Sequence, residues 1–203
     1  MINLYAAGAM ARERSEILLA EAQHARRAQQ ARRGEHVRLS DGSRVLIRQV
    51  RPADAALLAD GFARLSARSR WMRFLTAKRE LSAAELRYFT EVDHHDHEAL
   101  GALSHADGRG IGIARYIRDT GNPQAAEVAV TVIDEWHGRG LGTELLARLA
   151  RRARQEGIHR FTALAAADNT AVARLLRRMS AKLVRRESGT VEYEIELGPA
   201  GRR

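Results

Sequence analysis

Residues 125–157 read AAEVAVTVIDEWHGRGLGTELLARLARRARQEG, and this stretch decides the fold of the chain. Its first part has apolar residues at every second position, the pattern of a strand: Ala126, Val128, Val130 and Val132. After a glycine-rich loop, apolar residues return at helical spacing: Leu141, Leu145, Leu146, Leu149 and Ala153. The stretch therefore predicts a strand, a glycine loop and an amphipathic helix that stops at Gly157.

The junction between this strand and this helix has the properties of an anion site. Glycines let the backbone approach a ligand closely, and the first turn of a helix offers unpaired N–H groups with a partial positive charge. A pyrophosphate is the usual occupant of such a site. An ordinary tight turn remains an alternative, whereas Gly138, Gly140 and Gly142 do not fit the G-x-G-x-x-G spacing of a dinucleotide fingerprint.

The loop resembles the acetyl-CoA signature of the GNAT N-acetyltransferase superfamily, which has Gln or Arg, two residues, Gly, one residue, then Gly or Ala. His137 stands at the Gln/Arg position, and Gly140 and Gly142 match the two small residues. The resemblance implies an α/β (α+β) fold with a mixed, mostly antiparallel sheet and helices on both faces. It also implies that the two central parallel strands splay apart and that acetyl-CoA lies between them.

A second set of motifs is similar to one GNAT branch, the acetyltransferase domain of bacterial Pat-type protein lysine acetyltransferases. These motifs are Ile47-Arg48-x-x-Arg51-Pro52-x-Asp54, Arg64-Leu65-Ser66, Ser69-Arg70, Arg73-Phe74 and Glu80-Leu81-Ser82. The resemblance covers roughly residues 44–197. Such domains are often fused to an acyl-CoA-synthetase-like region or a cyclic-nucleotide-binding domain, for which this chain leaves no room.

The candidate catalytic residue is Glu127, which shares its strand face with the small residues Ala125 and Ala129. Its carboxylate would take the proton of an amine that is mostly protonated at neutral pH, and the resemblance gives the matching glutamate this role. A surface glutamate paired with an arginine is the alternative. Tyr116 and Tyr193 are candidate acids for the leaving thiolate.

The resemblance also implies a set of acetyl-CoA-binding residues. Backbone groups of Val130 and Val132 would pair with the pantetheine arm and polarise the thioester. The loop would hold the pyrophosphate through His137, Gly138, Arg139, Gly140, Leu141, Gly142 and Thr143. Asn169 would cap the next helix and contact the cofactor arm.

The domain organisation follows from composition. Residues 1–34 are rich in Arg and Ala and predict a helical or mobile arm, residues 35–198 the acetyltransferase domain, and residues 199–203 a frayed end. Three antiparallel strands are expected before the glycine loop, which disfavours a Rossmann fold. The strand at 158–166 should be parallel to its predecessor, because a helix connects the two.

Composition excludes several functional classes. The chain has no Cys, so a cysteine acyl-enzyme and a Cys-bound metal are ruled out. No signal peptide or membrane-spanning run is present, and a cytoplasmic protein is the simplest interpretation. Asp93-His94-His95-Asp96-His97 contains ligand types, but neighbours in sequence rarely converge on one ion, so no metal is expected. The net charge is +9, but the sequence contains no recognised nucleic-acid-binding motif. Nucleic acid is therefore disfavoured as the main partner.

These observations predict an acetyl-CoA-dependent N-acetyltransferase that acts directly on a primary amine, with a protein lysine favoured by the resemblance. Small amines, aminoglycosides and amino-acid N-termini stay open as acceptors. The alternative is a non-catalytic acyl-CoA sensor whose basic arm contacts a partner or nucleic acid.

Overall fold

The computed structural model describes Leu18 and residues 34–198. The chain divides into two compact units, Met1–Glu35 and His36–Arg203. The predicted arm lies outside the described residues apart from Leu18 and Gly34, and so does the predicted frayed end. Within the described part of the chain, no helix is long and apolar enough to cross a membrane.

The second unit is built on one sheet of eight strands in the order β1-β2-β3-β4-β5-β6-β8-β7. The strands are β1 (Glu35–Arg38), β2 (Arg44–Gln49), β3 (His97–Ser104), β4 (Gly110–Arg118), β5 (Ala125–Val132), β6 (Arg160–Ala166), β7 (Lys182–Glu187) and β8 (Thr190–Glu196). The helices are α1 (Ala55–Ala63), α2 (Ala67–Phe74), α3 (Ala83–Thr90), α4 (Leu141–Gln155) and α5 (Thr170–Arg178). Strands β5 and β6 are parallel, and the pairs β2–β3, β3–β4, β4–β5, β6–β8 and β7–β8 are antiparallel. The predicted fold class is therefore confirmed.

Helices cover both faces of the sheet, as two glycines on β4 show. A side chain at Gly112 would meet Leu145 of α4 at 3.2 Å, whereas one at Gly110 would meet the backbone of Leu57 in α1 at 3.3 Å. A bulge between these two glycines turns them to opposite faces. The apolar face of α4 is fully buried against the sheet, as its periodicity predicted.

The parallel strands β5 and β6 separate soon after they meet. They pair at Ala125 with Arg160, at Ala126 with Phe161 and at Glu127 with Thr162. Strand β5 then continues to Val132 along β4 alone. The expected splay is therefore present, and Glu127 marks the point where it begins.

The Arg48-x-x-Arg51-Pro52-x-Asp54 motif is a structural unit between β2 and α1. Both terminal nitrogens of Arg48 donate to the Asp54 carboxylate, at 2.6 and 2.7 Å, and the Arg51 N–H donates to it at 2.8 Å. The segment from Pro52 to Asp54 forms a 3₁₀ turn that leads into α1 at Ala55. The Asp54 side chain thus ties the end of this turn to the backbone just ahead of it.

Candidate active site

The glycine loop ends in an open helix N-terminus. Gly140 is the N-cap residue of α4 and provides no side-chain cap, and the first bond into the helix is from the Glu144 N–H to the Gly140 carbonyl. The N–H groups of Leu141, Gly142 and Thr143 come before this first bond, and no acceptor for them is found among the described residues. Free N–H groups at a helix start bind anions, so this loop fits the pyrophosphate of acetyl-CoA.

Glycine stands at positions 138, 140 and 142 for different structural reasons. Gly138 and Gly140 have φ angles of 76° and 87°, which other residues adopt only with strain. Gly142 lies in the helix, where a Cβ would meet Leu175 of α5 at 3.1 Å. The loop glycines therefore shape the backbone, and the helical glycine allows α5 to pack against the start of α4.

Strand β5 presents an open edge inside the splay. The Ile133 N–H donates to the Ile111 carbonyl, so odd-numbered residues of β5 direct their backbone groups to β4. The backbone groups of Val130 and Val132 consequently point toward β6, which no longer pairs with them. The pairing of Val130 and Val132 with a ligand in the gap stays a prediction.

His137 lies against the same edge. Its Nε2 atom is 2.8 Å from the Val132 carbonyl oxygen, at hydrogen-bond distance. The imidazole thus connects the start of the glycine loop to the end of β5. This contact is one that a glutamine amide, the usual residue at the position, could also make by donating.

Two other candidate residues already have intramolecular partners. The Arg139 guanidinium donates to Asp41 at 3.1 Å and to the Glu135 carbonyl at 2.8 Å, which directs it toward the β1–β2 turn. Asn169 accepts the Val172 N–H at 3.1 Å, so it caps α5 as expected, and its amide group has no partner among the described residues. The pyrophosphate contact of Arg139 and the cofactor contact of Asn169 stay predictions.

Glu127 is exposed at the start of the splay, on the sheet face that α2 covers. Glu127 lines a surface groove whose other lining residues belong to strands β6 to β8, and we call it the β6–β8 groove. Its lining residues are Glu127, Thr162, Ala163, Leu164, Arg185, Glu187, Thr190 and Glu192. Arg73 of α2 is close enough for the charges to interact: burial lowers the pKa of Arg73, and the charge of Glu127 acts to raise it.

The sequence did not single out the other carboxylates of this groove. Glu187 forms an ion pair with Arg185, and Glu192 lies opposite Arg185 in the β7–β8 register, where its charge also acts to raise the pKa of Arg185. Glu192 belongs to the alternating run Thr190-Val191-Glu192-Tyr193-Glu194, whose valine is buried. That alternation was the available signal, because it places the glutamates on the face opposite the core.

The structure also places the remaining polar candidates. Tyr116 is fully buried and its hydroxyl donates to the His95 carbonyl at 3.0 Å, which engages the proton that the predicted acid would donate. His94 and His95 bind the carboxylates of Glu98 and Glu156, at 2.7 and 2.5 Å. Within residues 34–198, no three potential ligands are grouped around a metal site.

Comparisons with known proteins agree with this geometry. Residues 44–182 match the family model of the acetyltransferase (GNAT) domain. Acetyltransferase Pat of Mycolicibacterium smegmatis is 33% identical over 163 residues, which are 80% of this chain and 49% of the relative, so the chain spans about half of that protein. Acetyltransferase PA5475 of Pseudomonas aeruginosa is 36% identical over 136 residues, 66% of this chain and 73% of the relative.

Among solved structures, the GNAT domain of S. lividans PAT superposes with a TM-score of 0.76 at 30% identity, covering 80% of this chain and 96% of that one. The matched region includes the glycine loop, the splayed strands and Glu127. From the family match, the fold and the open loop together, the chain belongs to the GNAT family, whose acetyltransferases take acetyl-CoA as co-substrate.

Proposed function

We propose that the chain transfers the acetyl group of acetyl-CoA directly to a primary amine, the side chain of a protein lysine, with Glu127 as the general base. The observation that carries the proposal is the position of Glu127. Its exposed carboxylate stands where β5 and β6 separate, three to five residues before the open backbone edge of Val130 and Val132. A base and a thioester site are therefore next to each other on one strand.

The residues that would hold acetyl-CoA follow from their free hydrogen-bonding groups. The loop from Gly138 to Thr143 would bind the pyrophosphate through its N–H groups. The edge of Val130 and Val132 would bind the pantetheine arm as a further strand does. The amide group of Asn169, free on its NH₂ side, is the remaining candidate contact to that arm.

The chemistry needs a neutral amine next to a polarised thioester. Glu127 would remove the proton from the ammonium group, since a lysine with a pKa near 10.4 is mostly protonated at neutral pH. The amine nitrogen would then bond to the acetyl carbon and the carbon–sulfur bond would break. The second proton of the nitrogen would pass to the departing CoA thiolate, leaving the amide and free CoA. Backbone N–H groups of β5 would stabilise the oxyanion that develops on the carbonyl.

The charge of the β6–β8 groove supports a cationic acceptor. Its lining contains three carboxylates, those of Glu127, Glu187 and Glu192, against the single cation of Arg185. Such a groove favours an ammonium side chain over an anionic or neutral acceptor. Together with the resemblance to Pat-type domains, it supports lysine over the other amines.

The test compares Glu127→Gln with Glu91→Gln, an exposed glutamate at the end of α3, outside both the loop and the groove. We expect Glu127→Gln to lower kcat/KM for lysine peptides by about 10²- to 10⁴-fold while the calorimetric Kd for acetyl-CoA stays unchanged. Glu91→Gln should leave both unchanged. Full activity of Glu127→Gln would refute the assigned base, and acetyl-CoA binding without turnover in the unaltered protein would favour the sensor.

A further inference from the structure

A separate cleft lies between helices α1–α3 and the sheet, and we call it the arginine cleft. Its cavity volume is about 100 Å³. Most of its wall is apolar, with three phenyl rings and several leucines: Leu57, Leu58, Phe62, Leu65, Phe74, Leu81 and Phe89. Three arginines, Arg48, Arg73 and Arg115, contribute to the same wall.

Arg115 is a buried cation without an anionic partner. The residue is 5% exposed and lies in the middle of β4. Its guanidinium donates to the Phe89 carbonyl at 3.3 Å, contacts the His97 ring at 3.2 Å and stacks 4.3 Å from the centre of the Phe89 ring. Within residues 34–198, no carboxylate lies within 4.0 Å of it.

Arg73 adds a second positive charge to the cleft. It comes from the last turn of α2, and its guanidinium stacks 5.0 Å from the centre of the Phe74 ring. It too has no ion-pair partner in the described part of the chain. Burial, and then the charge of Arg73, lower the pKa of Arg115 to about 9, so Arg115 is cationic at neutral pH.

Arg48, the third arginine of the cleft wall, has its charge compensated by a carboxylate. Arg48 forms a two-pronged pair with Asp54, and the side chains of the two residues are 13% and 14% exposed. A buried charge that lacks such a partner lowers stability substantially, because its lost hydration is not replaced. Neither Arg73 nor Arg115 is needed for the acetyl-CoA contacts. Only Arg73 lies near a charge of the proposed acetyl-transfer site, that of Glu127, so the cost of burying Arg115 has no explanation there.

We propose that the arginine cleft binds a small organic anion, a carboxylate with an apolar body. The carboxylate would lie at Arg115 and Arg73, since a planar guanidinium matches a carboxylate with two parallel hydrogen bonds. The apolar body would lie against the rings of Phe62, Phe74 and Phe89. Charge complementarity selects the anionic group, and the apolar wall selects a body without polar substituents.

This binding site is distinct from the acetyl-transfer chemistry. It involves no bond making or breaking, and it requires neither acetyl-CoA nor Glu127. Its test can therefore succeed or fail whatever the outcome for the proposed acetyltransferase activity.

The first experiment uses the unaltered full chain and pairs of matched ligands. Hexanoate and 3-phenylpropionate are titrated beside their primary amides and beside inorganic phosphate, with binding followed by calorimetry and thermal unfolding. We expect saturable binding and a rise in Tm with the two carboxylates only. Equal responses to a carboxylate and its amide, or no saturable response to either carboxylate, would overturn the proposal.

The second experiment locates the site with variants. Arg115→Met should weaken carboxylate binding by about tenfold or more, because it removes a charge-assisted hydrogen-bond donor. Arg177→Met, an exposed arginine on α5, controls for the overall positive charge and should bind as the unaltered protein does. If Arg115→Met does not fold, Arg73→Met is measured in its place, with the same expected loss. Unchanged carboxylate affinity in the folded variant, or an equal loss in Arg177→Met, would contradict the assignment.

Discussion

Ser66 donates two hydrogen bonds to Asp134, one from its backbone N–H at 3.0 Å and one from its hydroxyl at 2.8 Å. The Ser69 hydroxyl adds a third, also at 2.8 Å. The carboxylate follows β5 by two positions, and the serines begin α2. This contact therefore fixes α2, with Arg73 on it, across the strands that separate at Glu127.

Removing the Asp134 carboxylate should loosen this helix. Asp134→Ala is expected to lower the free energy of unfolding by about 2 kcal/mol, because three hydrogen bonds to a charged acceptor are lost in a partly exposed site. Urea unfolding measures the change. We also expect kcat for lysine peptides to fall while the Kd for acetyl-CoA stays constant, since α2 carries Arg73 near Glu127, whereas the N–H groups of the glycine loop begin α4. Unchanged stability would show that α2 is held by packing alone.

Acid should destabilise the protein through the same kind of contact. Burial acts to raise the pKa of both Asp54 and Asp134, but hydrogen bonds from Arg48 and Arg51, and from Ser66 and Ser69, hold these pKa values below the usual range. A depressed folded-state pKa stabilises the protein above the unfolded-state pKa, near 3.9, and the stabilisation is lost as the pH falls through the folded-state value. Unfolding free energy should therefore fall between about pH 5 and pH 2. Asp134→Asn should show a shallower fall, and an identical slope would contradict the assignment.

The sequence predicted local features well because they depend on neighbours in the chain. The helix after the glycine loop buries the predicted face, and it ends just before Gly157 as predicted. The partner of Arg139 was missed because Asp41 is 98 positions away, and only the folded sheet brings the two together. Pattern alone likewise gave no reason to connect Arg115 with Arg73, since they meet across a helix and a strand.

The contact between Gly142 and Leu175 should appear as a coupling between two substitutions. Gly142→Ala places a Cβ 3.1 Å from a Leu175 methyl group and should destabilise the protein by about 1 kcal/mol. With Leu175→Ala present, the clash is absent and alanine's higher helix propensity should make the same change stabilising by about 0.5 kcal/mol. The double-mutant cycle by thermal or urea unfolding measures the sign change. Additive effects would mean that α5 moves to accept the methyl group.

His137 tests how the loop tolerates an imidazole at a position that is usually Gln or Arg. Its Nε2 atom contacts the Val132 carbonyl at 2.8 Å and so holds the loop beside the open edge of β5. His137→Ala should weaken acetyl-CoA binding about fivefold, the effect of one ordinary hydrogen bond. Because the contact is exposed, Tm should hardly change.

The informative control for this prediction is His137→Gln. A glutamine amide donates to a carbonyl as an imidazole N–H does, so this variant should keep the calorimetric Kd of the unaltered protein. An affinity equal to that of His137→Ala would show that the imidazole ring, rather than its hydrogen bond, maintains the loop. The same Kd for the unaltered protein, His137→Ala and His137→Gln would show that residue 137 contributes nothing to acetyl-CoA binding. The pantetheine arm would then be bound by the backbone edge of β5 without a contribution from the His137 side chain.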